Sequence, residues 1–429
     1  MLEVRPFSQQ DKRFREMLDR GKADIEQLTL AAGAISDLSH DPENKLLEYV
    51  RKHDWQAPSI ESLRVGEEEI SEARNAVPEQ FLTALSLARV NIRKFHEYQR
   101  RRGYMHDDGE GVSLFRRSLP LSRIGILAGT SYSALLMCAV PAQVAGVGEI
   151  AVAASPDYEG KLSPHFLAAC KVLDIGEVYK MSAAHAAAAL ALGIGPVARV
   201  VKLVGPGDRG SAAAKQLLSH RVGVDLTLGL SELAVIADAT ANARFIASDM
   251  LAQAEHDEGP DSIALFTTDR LLAEAVRIEL DRIAEHLPRA DDIAECLNRS
   301  GAIYVCQSLV EAVNAVNALA PAKVSLMTAD NEEVLSDLET VGTVYSGPWS
   351  TETSVDYFAG INQLSPIHGG ARFSSGLGVD DFTRESSVIE YSAQRLLKTG
   401  RHMMLLAEAE GRFAHSEATR ERLEVLRIS

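Results

Sequence analysis

From Ser122 onward the chain alternates short aliphatic runs with helical stretches, and it does so twice. The first runs read IGIL, EIAVAA, GEVYKM and RVVKLVG; the second set reads LAVIAD, SIALFTT, AIYVC, KVSLMT and GTVYSG. Runs of this kind suit strands buried on both faces, because a parallel sheet is covered by its own crossover helices. Between them lie helical stretches such as residues 183–192, which are Ala-rich, and residues 133–147, interrupted by Pro141. Two such sets predict two parallel-sheet domains with a cleft between them, and 429 residues is long enough for both.

The expected fold is therefore α/β: two Rossmann-like parallel-sheet domains with helical N- and C-terminal arms. The boundaries read as an arm over residues 1–22, a discontinuous first α/β domain over 23–121 and 234–380, a second Rossmann-like domain over 122–233, and a C-terminal helical arm over 381–429. Helices are expected at 23–39, 44–53 and 79–100, and again at 384–398 and 402–411 ahead of a charged tail. Arg100, Arg101 and Arg102 fall at the expected end of the third helix, where cations are favoured, and read as a solvated cap. No short-period repeat or low-complexity segment is visible.

Charge narrows the partners. Lys and Arg number 44 against 60 Asp and Glu, a net charge of −16, which argues against nucleic acid or an anionic membrane. No apolar stretch reaches the length of a membrane span, and the N-terminus has no apolar signal core. Cys138, Cys170, Cys296 and Cys306 lack CxxC spacing and read as buried thiols of a cytosolic protein. A cytoplasmic location is expected.

Two segments carry chemistry. In GLSELAVIADATANARFIASDMLAQAEHD (residues 229–257) a turn and an apolar run lead into a helix capped near Asp238 or Thr240. Gln253 and His256, three apart on one helical face, can reach one ligand together. Both are acceptable zinc ligands, though taken alone such a pair is more often solvated or capping. Gly205-Pro206-Gly207-Asp208-Arg209-Gly210 follows a strand and precedes a helix expected at residues 211–220. Its glycines admit a tight turn, and the helix start favours a pyrophosphate. The acid usually found about twenty residues on has only Asp225 and Glu232 as candidates. Ser231 lacks the second glycine that a strained nucleophile elbow needs.

Together with ESLRVGEEEISEARNAVP, NIRKFHEYQ, RIGILAG, LMCAVPAQVAGV, VVKLVGPGD, VDYFAGINQLSPIHGGARFSSGL and AEAEGRFAHSEATRERL, in that order, these segments resemble the histidinol dehydrogenase family. The resemblance implies zinc held by Gln253, His256, Asp356 and His415, with His415 reaching across from the exchanged C-terminal arm of a homodimer. It implies substrate contacts at Ser231, Gln363 and Glu410, and a place in histidine biosynthesis. NAD contacts would fall at Leu127, His185 and Asp208, where relatives carry Tyr, Gln and Asn, so the cofactor site is expected to be altered.

The sharpest departure is Ala322-Lys323, where the family carries Glu-His after Ala-Pro. In relatives that His takes the alcohol proton and that Glu activates water for the second of two NAD-linked oxidations. Lys323 is a base only if its pKa is depressed, and His368 is the other candidate, as a displaced base or a turn former. Two expectations remain open. One is NAD-dependent oxidation of a small amino alcohol or related polar alcohol, with the standard conversion of histidinol to histidine compromised. The other is a metal-dependent small-molecule binding protein or hydrolase-like enzyme.

Overall fold

The aliphatic runs assemble into two parallel sheets of the same winding. One has the spatial order Val178–Lys180, Glu149–Ala154, Arg123–Gly129, Lys202–Val204, Gly223–Val224. In chain order its strands thus stand 3-2-1-4-5, the doubly wound arrangement. The other runs Gly301–Val305, Ser262–Thr267, Glu232–Ala237, Lys323–Met327, Thr343–Ser346, again 3-2-1-4-5, and all pairs are parallel. Here Val4–Pro6 adds a parallel edge strand against Gly301–Val305. The computed structural model describes residues 2–20, 24–225, 231–256 and 262–428. The chain divides into one unit of Met1–Gln99 with Leu121–Phe382, and a second of Arg100–Pro120 with Thr383–Ser429.

The expected strands are present, but the expected boundaries need correction. Helices Ile25–His40, Pro42–His53 and Glu79–Glu97 do not join the sheet built from residues 232–346. Ala31, Leu38, Leu46 and Val50 share a core with Leu127, Ala153 and Leu203 of the five-stranded sheet. Leu85, Ala88 and Ile92 pack on its other face with Ile124, Ile126 and Val204. The N-terminal arm is likewise no free arm: Phe14 and Met17 enter the core of the six-stranded sheet with Ile236, Phe266 and Tyr304. The expected boundary between residues 22 and 23 lies outside the described residues.

The second unit differs most from expectation. Thr383–Tyr391, read as the start of a helix, is a strand paired antiparallel with Val112–Pro120, which pairs in turn with Tyr104–Asp107. Helices Ala393–Ala409 and Phe413–Ile428 follow, so the charged tail is helical. The helix at 79–97 ends at Glu97, short of the three arginines, which belong to this second unit. Among the described residues, no helix is long and apolar enough to cross a membrane.

Candidate functional site

A cleft of about 620 Å³ lies in the first unit. One wall is the carboxyl edge of the five-stranded sheet, at the point where its winding reverses between Arg123–Gly129 and Lys202–Val204. Two helices begin there. Ser131 caps Tyr132–Ala145 by accepting from the Ala134 N–H at 3.1 Å. Asp208 caps Arg209–Leu218 by accepting from the Ser211 N–H at 2.7 Å. The loop between the fourth strand and its helix is braced from below. The buried Lys215 ammonium donates to the Gly205 carbonyl at 2.8 Å and to Asp225 Oδ1 at 2.5 Å, while Asp225 Oδ2 accepts from the Gly205 N–H. Gly205 has φ +104°, and a Cβ there would stand 2.6 Å from the Leu127 carbonyl oxygen, so only glycine fits.

This geometry revises the expected cofactor contacts. Asp208 lines the cleft, but its carboxylate is turned into its own helix start, where the dipole compensates its charge. Leu127 is buried and acts through its backbone, accepting from the Gly207 N–H at 3.0 Å. His185 is buried against Asp54 at 2.7 Å, in a ring stack with His53 and Tyr49, and is absent from the cleft lining. Neither acid suggested for a ribose is placed for it: Asp225 braces the loop, and Glu232 is fully buried in an ion pair with Arg20.

The opposite wall is the amino edge of the six-stranded sheet, together with helix ends. Helix Ala243–Ala254 is capped by Asn242; Asp238 and Thr240, expected as caps, form the turn before it. Gln253 lies in its last turn and His256 two residues past its end. Gln253 is fully buried; its amide donates to the Ser231 hydroxyl, and its Oε1 lies 3.3 Å from Lys323 Nζ. Gly229 and Leu230, ahead of Ser231, lie outside the described residues. The short helix Glu352–Tyr357 adds two carboxylates one turn apart, Glu352 and Asp356. Ligand atoms of His256, Glu352 and Asp356 all lie within 4.8 Å of one another.

Electrostatics makes this a cation site. Glu352 Oε2 and Asp356 Oδ1 are buried with no hydrogen bond of normal geometry among the described residues. Burial raises the Asp356 carboxyl above its usual range; Lys323 opposes the shift and Glu352 adds to it. Behind them burial pushes Asp249 up to about 7. An imidazole, an amide oxygen and carboxylate oxygens are the donors that zinc and similar divalent ions take, so the residues present fit such an ion.

Lys323 sits inside this cluster, paired with Glu352 and 3.9 Å from Asp356 Oδ1. Burial alone would lower its pKa, but the charges of Glu352 and Asp356 outweigh it and hold the ammonium above the ordinary lysine value. The expectation of Lys323 as a base is thereby corrected: it stays protonated. His368 is also corrected. It adopts φ +57°, its N–H donates to Glu232 Oε1 at 2.8 Å, and it does not line the cleft. It shapes a turn.

Gln363 does line the cleft, its amide 3.4 Å from the Ser133 hydroxyl. Glu410 and His415 belong to the second unit, both exposed, with Glu410 paired to Arg412 at 3.1 Å. Sequence reasoning missed Glu352. Its signal was available: Glu352 and Asp356 are four apart behind Thr351, which caps the helix.

Comparison with known proteins agrees with this architecture. Residues 19–423 match the histidinol dehydrogenase family model. The chain is 38% identical over 401 residues to a histidinol dehydrogenase of Bacillus licheniformis, covering 92% of this chain and 93% of that one. It is 38% identical to that of Geobacter sulfurreducens, covering 96% and 97%. A crystal structure of histidinol dehydrogenase from Elizabethkingia anophelis superposes with a TM-score of 0.89 at 28% identity, covering 100% of this chain and 98% of that one. This whole-chain likeness favours an ordinary histidinol dehydrogenase and lends no support to an inactive divergent form. The chain belongs to the histidinol dehydrogenase family.

Proposed function

We propose that this protein is a zinc-assisted, NAD-dependent dehydrogenase of a small amino alcohol, histidinol foremost, or of a related polar alcohol. The observation that carries the reading is one cleft with two kinds of wall. Two capped helix starts at a sheet switch point suit a dinucleotide pyrophosphate, and a His-Glu-Asp cluster faces the same space.

Within that cleft the residues divide the work. Gln253, His256 and Asp356 would hold the metal, with His415 supplied by the partner's arm in a homodimer. When bound, the metal supplies Lewis-acid polarisation of the substrate hydroxyl. Ser231 and Gln363 would hold polar groups of the substrate. Glu352 is the carboxylate with an oxygen, Oε2, left to take the hydroxyl proton. The concern that no carboxylate stands near Ala322 therefore loses its premise, because Glu352 lines the same cleft as Ala322. Oxidation through the aldehyde to the carboxylate has a base available to activate water.

The test is to supply zinc-loaded protein with L-histidinol and NAD, follow NADH, and identify the product. NADH formation with histidine as product supports the full reading, and an accumulating aldehyde confines it to the first oxidation. Glu352→Gln should lower kcat by about 100-fold or more, the scale of a general base. A protein that binds zinc and substrate but shows neither NAD binding nor NADH formation belongs to the non-dehydrogenase alternative.

A further inference from the structure

The donor cluster already contains a cation of its own. Lys323, the first residue of strand Lys323–Met327, is 4% exposed, and its ammonium stands beside two of the oxygens that would receive a metal, on Gln253 and Asp356. It pairs with Glu352, lies 3.3 Å from Gln253 Oε1, and lies 3.9 Å from Asp356 Oδ1. A divalent ion bound to those oxygens sits about 2.0–2.2 Å from each. An ammonium kept in its place would then stand against the ion at close range, with no water between to screen the repulsion. The two cannot share the site.

We propose that the Lys323 ammonium and the catalytic metal are alternative occupants of one cation site, so that metal binding requires Lys323 to swing out of it. This deepens the zinc-assisted reading above and rests on it. Without the metal, Lys323 balances two carboxylates that would otherwise repel one another inside the protein, Glu352 and Asp356. With the metal, the released ammonium lies in the cleft, where it meets the substrate. The lysine therefore weakens metal affinity, keeps the metal-free site intact, and delivers a positive charge to the cleft only once the ion has arrived.

The experiment uses the full-length protein stripped of metal, with zinc titrated against a competing chromophoric chelator. Lys323→Met keeps the length of the side chain and removes the charge. It should bind zinc at least tenfold more tightly than the unaltered protein, about 1.4 kcal/mol. Equal or weaker binding overturns the proposal while leaving the zinc reading standing. If neither protein competes with the chelator, the zinc reading itself falls, and this proposal with it. A second measurement needs no variant: reductive methylation with formaldehyde, read at Lys323 by peptide mass spectrometry. Lys323 should be protected in the metal-free protein and modified faster with zinc. Protection that zinc does not change overturns the proposal.

Discussion

Substituting Glu232 tests what holds the metal-facing wall of the cleft. This carboxylate is fully buried and receives four hydrogen bonds. Arg20 donates through Nε at 2.6 Å and Nη2 at 2.8 Å. The backbone N–H groups of Ala322 and His368 donate at 3.1 Å and 2.8 Å. One side chain therefore ties the N-terminal segment to two loops, one leading into Lys323 and one carrying the strained His368. Glu232→Gln puts an amide NH₂ against these donors and leaves the guanidinium buried without its charge partner. Breaking a buried pair by removing one member costs about 3–5 kcal/mol. Each orphaned N–H adds about 1–3 kcal/mol, partly overlapping, so roughly 4–6 kcal/mol is expected. Denaturant unfolding of Glu232→Gln, Arg20→Met and the double variant measures it. The double variant should cost less than the two singles together by more than about 1 kcal/mol, because it removes both halves of the pair. The solvent-exposed Lys45–Glu48 pair is the control, and its loss should cost far less. A Glu232→Gln loss as small as the control's, or strict additivity in the cycle, refutes the reasoning.

Three further outcomes follow from the same structure. Asp249 titrates near 7 when folded and near 4 when unfolded, so the folded state holds its proton more tightly and stability falls as pH rises between those values. The gap of roughly 3 units caps the penalty at about 4 kcal/mol. Asp249→Asn should therefore gain on the metal-free wild type between pH 4 and pH 8, and a stability difference that is flat with pH would contradict this. Gly205→Ala drives a Cβ toward the Leu127 carbonyl at a positive φ and should weaken NAD binding measured by calorimetry; unchanged affinity would show that the loop does not hold the dinucleotide. Truncation before Gly411 removes His415 and should reduce zinc per chain and weaken the dimer in light scattering; a truncated protein with full zinc would remove His415 from the ligand set.

The strands of both sheets were legible because burial on two faces demands aliphatic runs, and the residues between 123 and 346 supply them. Thr383–Tyr391 was not legible. It is largely exposed, and TRESSVIEY needs no aliphatic run to pair along Val112–Pro120, so its polar pattern reads equally well as helix. The assignment of residues 24–97 to the wrong sheet has another cause: an amphipathic helix records that it has a buried face, but not which sheet covers it. The motifs offer Gln253, His256 and Asp356 as the proposed metal donors. The state of Lys323 could not, because the carboxylates that keep it charged lie 29 and 33 residues away and reach it only through the fold.

The two sheets wind alike yet present opposite edges to the cleft, and this sorts its chemistry. At the carboxyl edge of the five-stranded sheet, strands lead into helices, so the helix starts at Tyr132 and Arg209 bring the positive ends of their dipoles. That wall attracts anions. At the amino edge of the six-stranded sheet the chain arrives from helices: Leu309–Leu319 ends just before Lys323, and Ala243–Ala254 ends at Gln253 and His256. Helix ends carry negative partial charge and favour cations. Glu352 and Asp356 strengthen that preference. Had both sheets offered their carboxyl edges, the cleft would have held two anion sites facing one another. On the proposed reading a pyrophosphate and a divalent cation occupy facing walls, with the reacting carbon between them. At the carboxyl edge that the six-stranded sheet turns away from the cleft, Asp238 accepts from the Ala329 N–H across the reversal point.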